Sequence, residues 1–508
     1  MSHNLEHFCL LLIVSVLAIG LLHWIAARCG AEPETKRKAL HLGAGTIGLT
    51  APWLFDQAWP IVVLCGLLLI GLAAVRWQPS LRSKFGGDLY GVRRRSIGEL
   101  LFPVSIATLF WLANGSNENK VVLYVVPLLV VTTADGAAAL AAGRYGLSPY
   151  PTIRGKKTWE GTFIFLCVAF LVTVISLLLF SDVGRADVLL IGCLIGLIGC
   201  IIEATTWSGL DNLIIPLGTY FALDRFLSMT TSALVTELVV VMLMMVVAVV
   251  WTWRTRLTTQ ANLCAVLVAF VLWSVGGTAW IATALAAFLL HPLLTHLPAQ
   301  TPATVDLRAV LSVSSCSVAW MAIYRMKLLD LDTSLYCASV GLVTHLCMIS
   351  LVRRRVVDDA RISWWSHFLW AVLASTVVIG CYLVCVESGR ILLVVAAAVL
   401  AALTSILFAT LPVQPDSGRR WTIQTLCALL ASCGGFVAEQ LPTLLKDDRD
   451  SLPRTSSLPP SFIESRLAPA DRPVVAFCMR TGGPFLEDSD DRSDHVFGFS
   501  VHSRRPIR

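Results

Sequence analysis

The stretch VVLYVVPLLVVTTAD, residues 121–135, is almost wholly apolar and ends on a carboxylate, Asp135. An Ala-rich sequence follows it, so the segment reaches the length of about 20 residues that crosses a bilayer as a helix. A helix is expected because a backbone in lipid must satisfy its own hydrogen bonds. A charge inside such a span costs about 3 kcal/mol on insertion scales, so Asp135 needs a partner or a function.

Similar apolar runs recur along the whole chain, from residues 8–26 to residues 421–439. The 508 residues are 56% hydrophobic and only 14% charged, and the mean hydropathy is +0.74. We therefore predict an all-α, polytopic transmembrane helix bundle with roughly 12–15 spans. The sequence lacks the short alternating segments of a β-barrel and the basic, aromatic-interleaved stripe of a nucleic-acid-binding protein.

The chain divides by composition into three regions. Residues 1–256 hold every polar motif discussed below and are predicted to form a membrane-embedded module. Residues 257–445 are predicted to form a second multi-span module of unknown role. Residues 446–508 are rich in Asp, Arg, Ser and Pro, which predicts a polar, disordered tail.

Basic residues collect at 28–38, 76–95 and 144–157, and two predicted spans separate each cluster from the next. All three clusters should therefore lie on one side, which the positive-inside rule makes cytoplasmic. We expect an integral, multi-pass membrane protein, of the inner or cell membrane if it is bacterial, with its motif loops in the cytoplasm. The sequence does not indicate an oligomeric state.

Two groups of charged residues begin predicted spans. Arg37, His41 and Gly45 are spaced i, i+4 and i+8, so they share one face of a helix. Arg95 precedes a Ser-x-x-Glu capping pattern that ends on Glu99, a carboxylate that needs a cation at the head of an apolar helix. Each group is also typical of a basic anchor at the membrane edge.

Asp135 is followed by a helix whose small residues line one stripe, so another backbone or a ligand can approach its carboxylate. The next segment, IRGKKTWEGT at residues 153–162, offers backbone N–H groups, ammonium groups and a helix start, from which phosphate sites are built. The alternatives are a polar pair between helices and a further positive-inside loop.

A third polar group lies at the end of a later span. Glu203 and Asp211 are spaced i and i+8 and would stack on one face if a helix ran through Gly209. With Asn212 they make a cluster of hard oxygen ligands suited to Mg²⁺. Helix capping by Asp211 and Asn212 is the structural alternative.

Taken in order, five motifs resemble those of the CTP-dependent phytol and dolichol kinases, a family related to the phosphatidate cytidylyltransferases. The resemblance covers about residues 30–225. The motifs are RKALHLGAG, RRSIGELLFP, the Asp135 helix with GRYG, KKTWEGT and the E-x7-DNLIIP segment. The RKALHLGAG and RRSIGELLFP motifs resemble the phytol kinases more closely, and the KKTWEGT loop is closer to the dolichol kinases.

This resemblance implies a membrane kinase that takes CTP as co-substrate, a divalent metal such as Mg²⁺, and a lipid alcohol such as phytol, dolichol or geranylgeraniol. It implies catalytic roles for Asp135, Lys157, Glu160 and Glu203, and metal binding by Asp135, Asp211 and Asn212. The implied nucleotide-binding residues are Gly143, Arg144, Gly146, Lys156, Lys157, Thr158, Gly161 and Thr162. Substrate or phosphate contacts are expected from Arg37, His41, Arg95 and Glu99.

Two other functions remain open on the sequence alone. A cytidylyltransferase would make a CDP-lipid and release pyrophosphate instead of CDP. A transporter would use Asp135, Glu203 and Asp211 along an ion or proton path. Such a path has no need of the Lys/Gly/Thr loop outside the apolar run.

Overall fold

A computed structural model describes residues 2–28, 33–80, 96–116, 119–153, 155–252, 257–294, 305–358, 364–386, 390–411 and 418–451. The described chain is helical apart from one small hairpin. Eleven of its helices are long and apolar enough to cross a membrane, and three shorter apolar helices accompany them. The predicted all-α, multi-span fold is confirmed. The predicted disordered tail lies outside the described residues beyond Ser451.

The first half of the chain carries the polar motifs. Its helices are α1 (Ser2–Arg28), α2 (Pro33–Gly48), α3 (Ala51–Leu54), α4 (Trp59–Trp77), α5 (Gly98–Asn114), α6 (Lys120–Leu129), α7 (Asp135–Tyr145), α8 (Trp159–Phe180), α9 (Arg185–Thr205), α10 (Asp211–Leu227) and α11 (Thr231–Thr252). A π-helical turn, Val130–Ala134, joins α6 to α7. Strands β1 (Pro149–Thr152) and β2 (Gly155–Thr158) pair antiparallel, with Tyr150 opposite Lys157.

The described part of the second half is also helical. Its helices are α12 (Thr259–Val271), α13 (Thr278–Leu294), α14 (Leu307–Arg325), α15 (Leu331–Asp358), α16 (Trp364–Val386), α17 (Leu392–Thr410) and α18 (Gly418–Ser451). A second π-helical turn, Leu272–Gly276, lies between α12 and α13.

Small residues set the close packing around the site. On α9, a Cβ at Gly192 would lie 2.6 Å from a Val174 methyl group of α8, and one at Gly196 would lie 3.1 Å from the Leu166 carbonyl oxygen. Helices in lipid associate through such small residues because apolar burial alone gives them little advantage over lipid contact. This spacing holds the end of α9 beside the start of α8.

The described residues up to Leu445 form one compact unit. Within this unit, one hydrophobic cluster extends from Leu11 to Phe270 and another from Leu272 to Ala431. Helix α12 therefore contributes Leu263, Val266 and Phe270 to the first cluster, although it follows the module boundary expected at residue 256. The predicted division into modules itself stays a prediction.

Candidate functional site

Asp135 lies directly after the π-helical turn and is only 8% exposed. Its Oδ2 atom accepts a hydrogen bond from the Lys38 ammonium group of α2. Helix α2 comes this close because a Cβ at Gly45 would overlap the Thr132 side chain in the π turn. The buried carboxylate thus has a cationic partner, and π turns within helices often mark functional sites.

Lys38 was not singled out by the sequence, which favoured Arg37 as the cation on this face. Arg37 lies half-buried on the same helix. The signal for Lys38 was available, because Lys38, His41 and Gly45 are spaced i, i+3 and i+7 and also share a helical face.

A second lysine and carboxylate pair joins the hairpin to the last turn of α9. Lys157 on β2 donates to the Glu203 carboxylate with 2.7 Å between Nζ and Oε1, and also to the Glu203 carbonyl oxygen. The other carboxylate oxygen, Oε2, is buried and has no hydrogen-bond partner among the described residues. Lys157 also interacts electrostatically with Asp135, and Glu203 does so with both Asp135 and Asp211. The Lys157–Glu203 pair is therefore close enough to Asp135 and Asp211 for their charges to interact.

The residues around Lys157 hold the hairpin in place. Thr158 caps α8 by accepting the Gly161 N–H at 3.2 Å, and the Glu160 carboxylate accepts the Ser148 N–H at 3.1 Å. The hydroxyls of Tyr150 and Thr162 lie 2.9 Å apart. Through these hydrogen bonds, Thr158, Glu160 and Thr162 fix the shape of the loop.

Tyr150, on β1 of the hairpin, contributes a buried, protonated hydroxyl. Burial raises the pKa of this phenol, and the negative charge of Glu203 acts in the same direction. Tyr150 therefore stays neutral near pH 7 and can act as a hydrogen-bond donor.

The small-residue stripe after Asp135 faces the start of α8. A Cβ at Gly161 would lie 3.1 Å from the Ala138 carbonyl oxygen and 3.2 Å from the Ala142 side chain. Gly143, Arg144 and Lys156 are exposed at this end of the molecule, and Arg144 lies over the Tyr145 ring with 5.7 Å to its centroid. Gly146, which ends α7, is half-buried. Arg144, at the end of α7, and Lys156, on β2, form an exposed basic rim at this end of the molecule.

The helix is interrupted between Glu203 and Asp211, so it does not run through Gly209. Helix α9 ends at Thr205, and α10 begins at Asp211. Ser208 and Gly209 have φ of 58° and 89°, which a right-handed helix cannot include. The two carboxylates approach each other through this turn instead of by helical stacking.

Asn212 stabilises the turn between α9 and α10. Its side-chain amide donates to the Gly98 carbonyl oxygen at 2.8 Å, and the Ser208 carbonyl oxygen accepts the Ile97 N–H at 3.0 Å. The head of α5 is thereby held against the turn. Metal binding by Asn212 stays a prediction.

Glu99 is paired with Arg76, at the end of α4, in a further half-buried ion pair. The same guanidinium donates to the Ser96 carbonyl oxygen at 2.8 Å. Helix α5 begins at Gly98, whose N–H donates to the Ser96 hydroxyl at 3.1 Å, so Glu99 is not part of a reciprocal capping box. Arg95 lies outside the described residues.

His41 on α2 faces α5, and its ring centroid is 3.9 Å from that of Phe102. Its Nε2 atom is buried and has no hydrogen-bond partner in the part of the chain that the structure describes. The ring also forms a hydrogen bond with the Val131 backbone in the π turn. Because Nε2 has no partner, this hydrogen bond is assigned to Nδ1. A proton on Nδ1 leaves the Nε2 lone pair available.

The donor set fits a magnesium ion of the kind that binds with substrate phosphates. No cluster of three His, Cys, Asp or Glu side chains with metal-binding geometry occurs over the described ranges. Magnesium commonly uses only one or two carboxylates and completes its shell with water and phosphate oxygens. Asp135 and the unpartnered Oε2 of Glu203 match that requirement.

Comparison with curated proteins finds two relatives. The chain is 30% identical over 190 residues to a phytol kinase of Synechocystis, a match that covers 37% of this chain and 76% of that protein. It is 26% identical over 204 residues to a probable chloroplastic phytol kinase 2 of Glycine max, across 37% of this chain and 64% of the relative. No family model and no solved structure matches the chain.

Proposed function

The chain belongs to the phytol kinase family, and from this premise we propose that it transfers a phosphoryl group from a nucleotide to an isoprenoid alcohol in the membrane. The observation that carries this proposal is the meeting of the Lys38–Asp135 and Lys157–Glu203 pairs at one end of a membrane-type helix bundle. Phosphoryl transfer asks a protein mainly for positioning and for neutralisation of charge, and two lysines beside two carboxylates can provide both.

The nucleotide binds at the basic rim, and we propose CTP as the donor on the strength of the motif resemblance. Lys157 and Lys38 reach its phosphates by leaving their carboxylates. Arg144 and Lys156, both exposed, attract the polyphosphate from the cytoplasmic side. The start of α8 adds backbone N–H groups and the positive end of a helix dipole.

The carboxylates released by the lysines are the residues that would hold Mg²⁺, namely Asp135 and Glu203, with Asp211 beside them. When bound, the ion neutralises charge on the phosphate oxygens. Lys38 and Lys157 supply the remaining positive charge and hold the transferring group in line with the acceptor. The buried position of both carboxylates keeps these interactions strong, because bulk water does not screen them.

The acceptor hydroxyl enters laterally from lipid, between α2 and α5. His41 is placed to receive its proton at Nε2, since this atom is buried and its lone pair is available. Phe102 offers an apolar surface against the same ring. The isoprenoid chain would extend along the lipid-facing side of α2, where Leu42 is exposed.

Incubation of detergent-purified protein with γ-labelled CTP, Mg²⁺ and a panel of phytol, geranylgeraniol, dolichol and diacylglycerol tests the proposal. We expect label in an isoprenoid monophosphate and an equal amount of CDP. Parallel reactions with ATP, GTP and UTP test the choice of donor. Release of pyrophosphate with phosphatidate as substrate would identify a cytidylyltransferase, and the absence of any nucleotide turnover would refute the kinase.

A further inference from the structure

Gln260, the second residue of α12, bridges two parts of the candidate site although it lies outside all five motifs. Its side chain is 1% exposed. The Oε1 atom accepts the Ile153 N–H at 2.9 Å, and the Nε2 atom donates to the Thr205 carbonyl oxygen at 2.9 Å. One buried amide therefore satisfies a loop donor and a helix-end acceptor at once.

Both partners of Gln260 belong to segments that carry the Lys157–Glu203 pair. Ile153 follows β1 at the tip of the hairpin, and Lys157 lies on β2 of the same hairpin. Thr205 is the last residue of α9, two positions after Glu203. The carbonyl groups of a last helical turn lack partners within the helix, so the amide of Gln260 supplies one.

The start of α12 is also fixed by hydrogen bonds of Thr258. Thr258 caps the helix by accepting the Ala261 N–H at 3.3 Å, and the Thr258 N–H donates to the Val305 carbonyl oxygen at 3.0 Å. Val305 immediately precedes the segment that begins α14. Gln260 is thus presented from a helix start that is anchored to the second half of the chain.

We infer that Gln260 is a positioning residue for nucleotide binding, which holds the hairpin of Lys157 at a fixed distance from the end of α9. This inference rests on the proposed function. Gln260 touches neither substrate and acts through Lys157, so the affinity for the nucleotide depends on it while the affinity for the alcohol does not. The second half of the chain thereby completes the phosphate-binding part of the site.

Two variants distinguish the contributions of the two hydrogen bonds made by the Gln260 amide. Gln260→Met has a similar length and loses both hydrogen bonds. Gln260→Glu still accepts from the Ile153 N–H, but its carboxylate cannot donate to Thr205. Asn262→Leu is the matched control, because Asn262 lies one half-turn further along α12 and its buried amide donates to the Ala248 carbonyl oxygen at 2.8 Å, away from the hairpin.

Hydrogen exchange of the ligand-free, full-length protein measures the hairpin directly. We expect amide exchange in residues 150–158 to be fastest in Gln260→Met, intermediate in Gln260→Glu and unchanged in Asn262→Leu. In turnover assays, Gln260→Met should raise the KM for nucleotide about tenfold or more, the effect of losing one or two hydrogen bonds. The KM for alcohol should not change.

The two measurements fail in different ways. Hairpin exchange in Gln260→Met equal to that of the wild type would overturn the positioning role, whatever the reaction proves to be. An equal rise in the KM for both substrates would also overturn it, because a merely structural residue would act in that way. Accelerated hairpin exchange in a protein that turns over no nucleotide would refute the proposed kinase activity, and with it the role of Gln260 in nucleotide binding.

Discussion

Lys157 donates to Glu203 with 2.7 Å between Nζ and Oε1, and so connects the hairpin after α7 to the end of α9. The ammonium group also interacts electrostatically with Asp135. This one cation therefore interacts with both buried carboxylates of the site, and Asp135 also pairs with Lys38. If both lysines exchanged their carboxylates for phosphate groups, Asp135 and Glu203 would be free for a metal ion.

Lys157→Ala should weaken nucleotide affinity together with turnover, because the ammonium group neutralises phosphate in the bound state and in the transition state. We expect kcat/KM for the nucleotide to fall by about 100-fold or more. Arg185 is an exposed cation at the start of α9, at the end of that helix opposite Glu203. Arg185→Ala should therefore leave kcat/KM for the nucleotide unchanged. A selective loss of alcohol affinity would contradict the assignment.

Asp135→Asn keeps the shape of the side chain and removes its charge. If Asp135 holds the metal, CDP release at saturating lipid should fall by about 100- to 1000-fold, while expression and detergent elution stay normal. Asp224→Asn, an exposed carboxylate on α10, serves as the control. Turnover near the wild-type rate in Asp135→Asn would show that the carboxylate only links two helices.

Gly209→Ala should destabilise the turn between α9 and α10. Gly209 has φ of 89°, and a Cβ there would overlap the Gly98 backbone at the head of α5. We expect a loss of about 2 kcal/mol or more in unfolding free energy, seen as a lower Tm in detergent. Gly71→Ala on α4, where nothing lies within 4 Å of the new Cβ, should not lower the Tm.

Truncation after Arg256 should abolish nucleotide turnover, because it removes Gln260 and the apolar residues of α12 that belong to the first hydrophobic cluster. Truncation after Gly277 keeps both and should retain measurable turnover. The comparison is made on proteins that elute as single peaks in detergent. Equal activity of the two truncated proteins would show that α12 is dispensable.

Ser148 is exposed beside the hairpin, and the basic clusters predict that it faces the cytoplasm. In a cysteine-free background, Ser148→Cys should resist an impermeant thiol reagent in intact cells and react after permeabilisation. Asp182→Cys, exposed in the loop before α9 at the other end of the bundle, should react in intact cells. The reverse pattern would invert the topology.

Much of the candidate site could be predicted because its members break local rules. Asp135 and Glu203 are charges within apolar helices, and Lys157 lies in a loop with the composition of a phosphate site; these three indeed meet. The partner of Asp135 could not be predicted, since Arg37 and Lys38 are adjacent and both lie near the face of His41. Gln260 carried no signal, because an amide at a helix start is ordinary in sequence.

The sequence by itself determined the membrane character and the residues that need a partner, because both follow from the local cost of placing polar groups in lipid. The tertiary structure alone decided which partner each residue has. Lys38 reaches Asp135, Arg76 reaches Glu99 and Gln260 reaches Ile153 across 97, 23 and 107 residues of chain. Helical periodicity assigns a side chain to a face, but only the packing of helices brings two faces together.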